Sequence, residues 1–428
     1  MSVVVVGAHG LLGSHLVAEL TRRRLPHLAA SRTPGNHVAG VDLRSEADVD
    51  RLCGLMGDAT VVYCAQVGGR ARAAAEPDAA RRVNVTAPAR LARAARRMIY
   101  LSSDYVFTTA GTKHPHTPPD PADPYSVSKA DGEQAALAAG RHVVVVRTAG
   151  LYDEHTGPHG DFADLDTVTA ADNRTTQPTY LPDLVAALLD LGDVTGIVHA
   201  VGPHPLSAYE FAQVASLRWG FDVRPVLSQP REGVILAPTP GLAIRPPAHA
   251  FLPDRPHPAT APIAAPVTVL DTVGVVLAGR RHREPDPGFW AQQAAGPETP
   301  LARLGADRIV AAYGPNPAVW PRLRRLTSGR TYVLANNGPR DTFERWVARY
   351  GLDRLFAHTI NSERDGLTKA CEPFRARVNA LAGPHRVQLV DDSRAIVAEA
   401  TRSGWDAVLT RRTGEGPVEE YTPEAPIR

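Results

Sequence analysis

Lysine is almost missing from this chain. Of 47 basic residues, only Lys113, Lys129 and Lys369 are lysines. The remainder are arginines, in a sequence also rich in alanine and proline, as a bias toward G and C in the codons would produce. A position that stays lysine under such a bias is one where a compact, titratable ammonium is wanted, which a guanidinium does not replace. Cysteine is equally scarce. Cys53, Cys64 and Cys371 are odd in number and scattered, which excludes a disulfide framework, forms no zinc spacing and points to a reducing compartment. No sign of charge dominates: 47 basic residues face 45 acidic ones, a formal +2, so there is no electrostatic footprint for nucleic acid or an anionic membrane. No apolar run reaches the roughly 18 residues of a membrane helix, and the opening MSVVVVGAHG carries no basic leader. The expectation is a soluble, cytoplasmic protein without nucleic-acid or membrane partners. The 16 histidines include no HExxH and no paired ligand spacing; His9, His204 and His257 read as loop residues rather than metal ligands.

What is present is enough for two domains or three. The chain has 428 residues, 43% of them hydrophobic and 21% charged, so each domain can bury a core. Strand and helix signals alternate over the first 150 residues. Val3–Val6, Thr60–Cys64, Met98–Leu101 and Val143–Val146 are apolar strand-like runs separated by Ala-rich helical segments. That rhythm implies an α/β fold, a doubly wound parallel sheet of Rossmann type. Residues 151–250 carry more loop, with helices near Leu184–Leu191 and Ala208–Leu217, and fit a small substrate subdomain. Prolines crowd the stretch from Leu236 to Pro266; residues 251–266 read as a semi-rigid linker. Strand and helix signals restart at Val267 and define a second α/β domain over 267–414. Residues 415–428 read as a flexible tail.

Gly7-Ala8-His9-Gly10-Leu11-Leu12-Gly13 follows the first strand and opens a helix. Glycines there permit a tight turn and let a pyrophosphate approach the helix N-terminus. The second strand ends in Ala30-Ser31-Arg32, without the carboxylate that would hold a ribose 2′-hydroxyl. Arg32 suits a 2′-phosphate and so NADP(H); a solvated surface arginine is the alternative. Further on, Tyr125 and Lys129 stand four apart, on one face if the segment is helical. A nearby ammonium lowers the pKa of a phenol toward the working range. Ser103 follows a strand and would lie at its C-terminal edge. Tyr and Lys at this spacing are often a plain surface pair; the glycine turn, the serine and the scarcity of lysine favour a proton-relay site beside a nicotinamide.

The segments VVVVGAHGLLGSHL, VNVTAPARLARAA, YLSSDYVF, YSVSKADGEQ, VVRTAGLY, QPTYLPDLVAALL and GIVHAVGPHPLSAYEFA occur in this order within residues 1–250. Together they resemble the extended short-chain dehydrogenase/reductases, and more narrowly the dTDP-4-dehydrorhamnose reductase group. The resemblance implies that Ser103 orients a substrate carbonyl, Tyr125 supplies a proton and Lys129 holds the cofactor ribose. It implies a cofactor set of Gly7, Gly10, Leu11, Leu12, Gly13, Ser31, Arg32, Asp42, Ala65 and Lys129. NADPH would deliver hydride to a keto carbon of a nucleotide-linked deoxysugar. It also allows a homodimer, and a non-catalytic, nucleotide-binding regulatory protein. Two departures bear on the substrate: the stretch between Tyr152 and Gln177 is short, and AQVGGRARAAAEP after Cys64 lacks the usual Thr/Asp pattern.

Three apolar runs in the second domain end in polar residues: VTVLD at Asp271, TYVLANN at Asn336 and Asn337, and VQLVDD at Asp391 and Asp392. Strand ends of a parallel sheet meet at one site. With NSERDGLTKACEPF around Lys369, these runs resemble the haloacid dehalogenase-like hydrolases. The resemblance implies Asp271 as nucleophile, Lys369 as its basic partner, and Asp271, Asp391 and Asp392 as Mg²⁺ ligands. Val273 stands where a phosphatase of that group has its acid-base aspartate, and Ala335 where it has a hydroxyl. Loss of such an acid-base group costs about 10²–10⁴ in rate. A degenerate structural domain, an altered hydrolase and a full phosphatase therefore all stay open at this point.

Overall fold

The computed structural model describes residues 2–157, 160–227, 233–252, 266–279, 306–316, 319–323 and 331–410. The expected tail lies outside them, as does the expected linker apart from residues 251, 252 and 266. The chain forms two compact units.

The first unit comprises Met1–Asp161, Arg174–Ser207 and Ser228–Arg245. Its seven strands are β1 (Val3–Val6), β2 (His27–Ser31), β3 (Val38–Gly40), β4 (Thr60–Tyr63), β5 (Arg97–Ser103), β6 (Val143–Thr148) and β7 (Gly196–His199). They pair in the order β7-β6-β5-β4-β1-β2-β3, and every pairing is parallel. The runs Val3–Val6 and Val143–Val146 are buried throughout, as valine-rich central strands of a parallel sheet covered on both faces should be. From β1 the chain winds outward to β3, then returns to β4 on β1's other side. That reversal opens a crevice at the carboxyl ends of β1 and β4, where such sheets bind their ligands.

Two helices carry the site. Helix α1 (Leu11–Arg22) packs Leu12, Leu16 and Leu20 inward. Helix α2 (Pro124–Ala139) begins with a capping box: Asp123 accepts from the Ser126 N–H at 3.0 Å, and Ser126 Oγ accepts from the Asp123 N–H at 3.0 Å. Pro124 supplies the first helical φ. This fixes the helix start one residue before Tyr125. A single π-helical turn, Arg82–Thr86, lies against α2. Gly132 makes the approach possible, because a Cβ there would fall 2.1 Å from Asn84 O.

The second unit comprises Phe162–Asn173, Ala208–Leu227 and Pro246–Arg428. Its sheet contains β8 (Val267–Asp271), β9 (Thr331–Asn336), β10 (His358–Asn361), β11 (Val387–Asp391) and β12 (Asp406–Leu409). The order is β10-β9-β8-β11-β12, again all parallel. The two α/β sheets agree with the fold class read from the sequence.

The division between the units differs from a cut at residue 250, since 162–173 and 208–227 group with the C-terminal half. Helix α3 (Ala208–Trp219) explains why, because every residue from Tyr209 to Leu217 is buried. The Phe162 ring meets Phe211, Trp219, Phe221 and Phe251 with centroids 5.5 to 6.3 Å apart. Glu210, fully buried, accepts from Arg349 Nη2 at 3.1 and 3.2 Å and from the Tyr350 hydroxyl at 2.6 Å. Both donors sit on α4 (Arg340–Tyr350). A helix buried on all sides needs partners on all sides, and here some of them come from more than a hundred residues further along the chain. Among the described residues no helix is long and apolar enough to cross a membrane.

Candidate functional site

The glycine turn after β1 is forced by geometry. Gly7 has φ +94°, and a Cβ there would lie 2.7 Å from Ala65 N. A Cβ on Gly13 would lie 2.1 Å from Gly7 O, so α1 docks on the turn only with hydrogen at that position. Gly10 caps α1 without a side chain, and the first turn holds no acidic residue. The first helical bond runs from Ser14 N–H to Gly10 O at 2.9 Å. The N–H groups of Leu11, Leu12 and Gly13 precede it and have no carbonyl within the helix. Such an end, positive by its dipole and carrying donors, suits an anion.

The turn opens into a cavity of about 1080 Å³. Gly7, Gly10, Leu11, Leu12, Gly13, Ser31, Arg32, Asp42 and Ala65 line one end of it, and Ser103 and Tyr125 also line it. Arg44 holds the Asp42 carboxyl below the usual carboxylate range through a forked contact, with Nη2 at 2.6 Å from Oδ2. Arg32 adds positive charge beside it. The β2 end of the cavity is therefore cationic at neutral pH.

Tyr125 is 7% exposed. Its hydroxyl donates to Gln66 Oε1 at 2.9 Å, and its ring meets Tyr105 edge-on, with centroids 6.1 Å apart. Burial pushes the phenol up to about 12, with the hydrogen-bonded Ser103 hydroxyl pulling the other way and Asp104 and Tyr105 adding to the rise. This corrects the expected lowering of the phenol by Lys129. That ammonium is 1% exposed and is turned elsewhere: Nζ donates to Leu101 O at 2.6 Å and stands 4.3 Å from the centre of the Tyr100 ring. It is absent from the cavity wall and lies behind it. Burial lowers its pKa to about 8, opposed by the Glu133 carboxylate and Cys64.

The sequence reading missed the groups that hold this face. Asn84, fully buried, sits in the π turn and donates to Ser128 Oγ at 2.9 Å. Glu133 accepts from Ser102 Oγ at 2.5 Å and from Arg147 Nε and Nη2 at 3.0 and 2.8 Å. An asparagine inside an otherwise apolar helical pattern was the available signal for the first. Nothing local marked Gln66.

An open parallel sheet with a glycine turn at its strand-order reversal, and a hydroxyl pair beyond β5, defines a dinucleotide-binding protein of Rossmann type. Residues 1–248 match the model of the RmlD substrate binding domain, and the chain belongs to that family. It is 36% identical over 250 residues to dTDP-4-dehydrorhamnose reductase of Mycobacterium tuberculosis, covering 53% of this chain and 79% of the relative. It is 32% identical over 230 residues to the Streptomyces griseus protein of the same name, covering 50% and 72%. Among solved structures, a dTDP-4-dehydrorhamnose reductase from Clostridium acetobutylicum gives a TM-score of 0.49 at 21% identity, covering 55% of this chain and 90% of that one.

The second unit gathers its own cluster. Lys369 Nζ bonds Asp271 Oδ1 at 2.5 Å and Asp391 Oδ2 at 2.6 Å. Carboxylate oxygens of Asp271, Asp391 and Asp392 lie within 4.8 Å of one another. Asp271 and Asp391 are buried and Asp392 half-buried. Gly274, at φ +92°, leaves room for Asp392, since a Cβ would fall 2.3 Å from its Oδ2. Burial raises the Asp271 carboxyl against the pull of Lys369, and Asp391 and Asp392 push the same way as burial. Asn337 Oδ1 accepts from the Lys369 N–H at 2.9 Å, which places the lysine. Asn336 accepts from Asn361 Nδ2 at 3.0 Å. Ala335 pairs with Asp271 across the β8–β9 ladder and brings no hydroxyl.

Proposed function

We propose that the first unit is an NADPH-dependent reductase of a keto group on a nucleotide-linked deoxysugar. The observation that carries this reading is the single cavity onto which the glycine turn, Arg32, Ser103 and Tyr125 all open. The residues fit the cofactor: the turn has no room for side chains at Gly7 and Gly13, and the α1 end has no competing side-chain cap. When bound, NADPH supplies the hydride. The chain supplies the rest. Leu11, Leu12 and Gly13 offer N–H groups to the pyrophosphate, and Arg32 offers its guanidinium to the 2′-phosphate. Ser103 orients the carbonyl, and Tyr125 gives its proton to the oxygen that becomes a hydroxyl. Burial keeps this phenol protonated at neutral pH, the form from which it donates, while the transfer itself is best matched when the pKa lies nearer the working range. Lys129 contributes positive charge from behind the wall. The relatives named dTDP-4-dehydrorhamnose reductase support this substrate class.

The test is a titration of the purified protein with NADPH and NADH, followed by loss of NADPH absorbance with dTDP-4-dehydrorhamnose. Tighter binding of NADPH and turnover abolished by Tyr125→Phe are expected. Binding of neither cofactor would remove the reading.

For the second unit the reading is a Mg²⁺-dependent, hydrolase-like site of altered chemistry. Three close carboxylates and no softer ligand fit a hard cation. When bound, Mg²⁺ would offset their charge and that of an anionic substrate. Asp271 would be the nucleophile and Lys369 its partner, while Val273 leaves the site without a proton-transferring group two residues on. Calorimetric titration with Mg²⁺ tests this: binding is expected in the wild type and its loss in Asp271→Asn.

A further inference from the structure

At the proposed proton donor, the cavity holds a polar contact that the proposed reaction does not use. The Tyr125 hydroxyl, the proton donor of that reading, already has an acceptor in Gln66 Oε1 at 2.9 Å. An amide carbonyl oxygen stands to the phenol there as a ketone oxygen would.

The contact is built from both sides. Val67, next to Gln66, donates its N–H to Asn84 Oδ1 at 2.9 Å, and its carbonyl accepts from Asn84 Nδ2 at 3.3 Å. The same Nδ2 donates to Ser128 Oγ at 2.9 Å, and Ser128 Oγ donates to Tyr125 O at 2.8 Å. Asn84 thus ties the backbone beside Gln66 to the helix turn that carries Tyr125, and the Gln66–Tyr125 bond closes the ring. Only the two ends that meet in the cavity are free to part. Gln66 itself is exposed, so its amide has room to swing into solvent. Gly68 keeps that room, since a Cβ there would lie 3.3 Å from Gln66 Nε2.

We infer that Gln66 is a positioning residue that caps the Tyr125 phenol in the open site, and that whatever accepts the Tyr125 proton must first displace its amide oxygen. The cap keeps the hydroxyl aimed into the cavity and lets the incoming carbonyl exchange one acceptor for another. Its cost is competition with the substrate. The inference rests on the reductase reading for the nature of the displacing group, but not for the cap itself.

Two measurements on the full chain separate the two ideas. In the first, 3-fluorotyrosine is placed at position 125 and its ionisation is followed by ¹⁹F NMR without substrate. An acceptor on the neutral phenol disfavours the phenolate. Removing it in Gln66→Ala is expected to lower the pKa by about 0.4 to 1 unit, the value of one neutral hydrogen bond. In the second, the KM for dTDP-4-dehydrorhamnose is measured with NADPH. Loss of the competing acceptor is expected to lower KM by about 2- to 10-fold, with the effect on KM rather than kcat. Gln66→Glu, whose carboxylate both accepts from the phenol and repels the phenolate, is expected to raise the pKa above the wild-type value. An unchanged pKa in Gln66→Ala overturns the cap, and so does a raised KM, which would make Gln66 a substrate contact. A lowered pKa in a protein that reduces no ketone keeps the cap and removes the reductase reading instead.

Discussion

Lys129 offers the sharpest quantitative test of the first unit. Its ammonium is 1% exposed and held by one carbonyl and one aromatic face. Its pKa falls from 10.5 to about 8. Relative to the neutral amine, the charged form is therefore about 3 kcal/mol less favourable in this site than in water. Burial drives the fall, and Glu133 limits it. The chain's shortage of lysine makes the measurement simple, because ¹³Cε-lysine labelling gives only three side-chain signals. Lys129→Met assigns its own by deletion. The assigned signal is expected to titrate near pH 8, and Glu133→Gln to move it lower still. The proton leaves as pH rises through 8, so if the positive charge supports turnover, kcat/KM falls above that pH by about tenfold per unit. A Lys129 signal that titrates at 10.5 or higher would refute the reasoning, because the site would then solvate the ammonium as well as water does.

Three further outcomes follow from the packing. Glu210→Ala leaves Arg349 buried without its carboxylate and should destabilise the second unit by about 3–5 kcal/mol, read by denaturant unfolding; an effect under 1 kcal/mol would show that the pair is dispensable. A chain ended after Leu252 strips α3 of Arg349, Tyr350 and Trp320, whose indole N–H donates to Gln213 O at 2.9 Å, and should be unfolded, as circular dichroism would show. Arg32→Ala should weaken NADPH about 10- to 100-fold while leaving NADH nearly unchanged, the loss expected for one charged hydrogen bond, measured by fluorescence titration.

What was legible in the sequence was local. The glycine turn declares itself because its conformation and its contacts are set within a few residues and one neighbouring strand. The strand ends at Asp271 and Asp391 were placed together because parallel strands end on one side. The direction of Lys129 was not legible. Spacing on a helix puts it near Tyr125, but Leu101 O and the Tyr100 ring, from another strand, decide where the ammonium goes. Nor could periodicity assign α3. An amphipathic pattern shows which face is buried, while a helix buried on every side, polar residues included, does not say against what. Glu210 reads as a surface acid until Arg349, well over a hundred residues away, is brought beside it. Gln66 carries no pattern at all, and its role depends on a ring of hydrogen bonds closed through Asn84.

The three lysines have a consequence outside the two sites. All are buried, with Lys113 at 8%, Lys129 at 1% and Lys369 at 6% exposure. No lysine ammonium is among the exposed cations of the protein. Amine-reactive dyes, crosslinkers and coupling resins therefore meet no accessible side-chain amine on the folded protein. Labelling at a lysine becomes a report of opening: a reagent that reaches Lys369 has entered the carboxylate cluster, and one that reaches Lys129 has passed behind the wall of the nucleotide cavity.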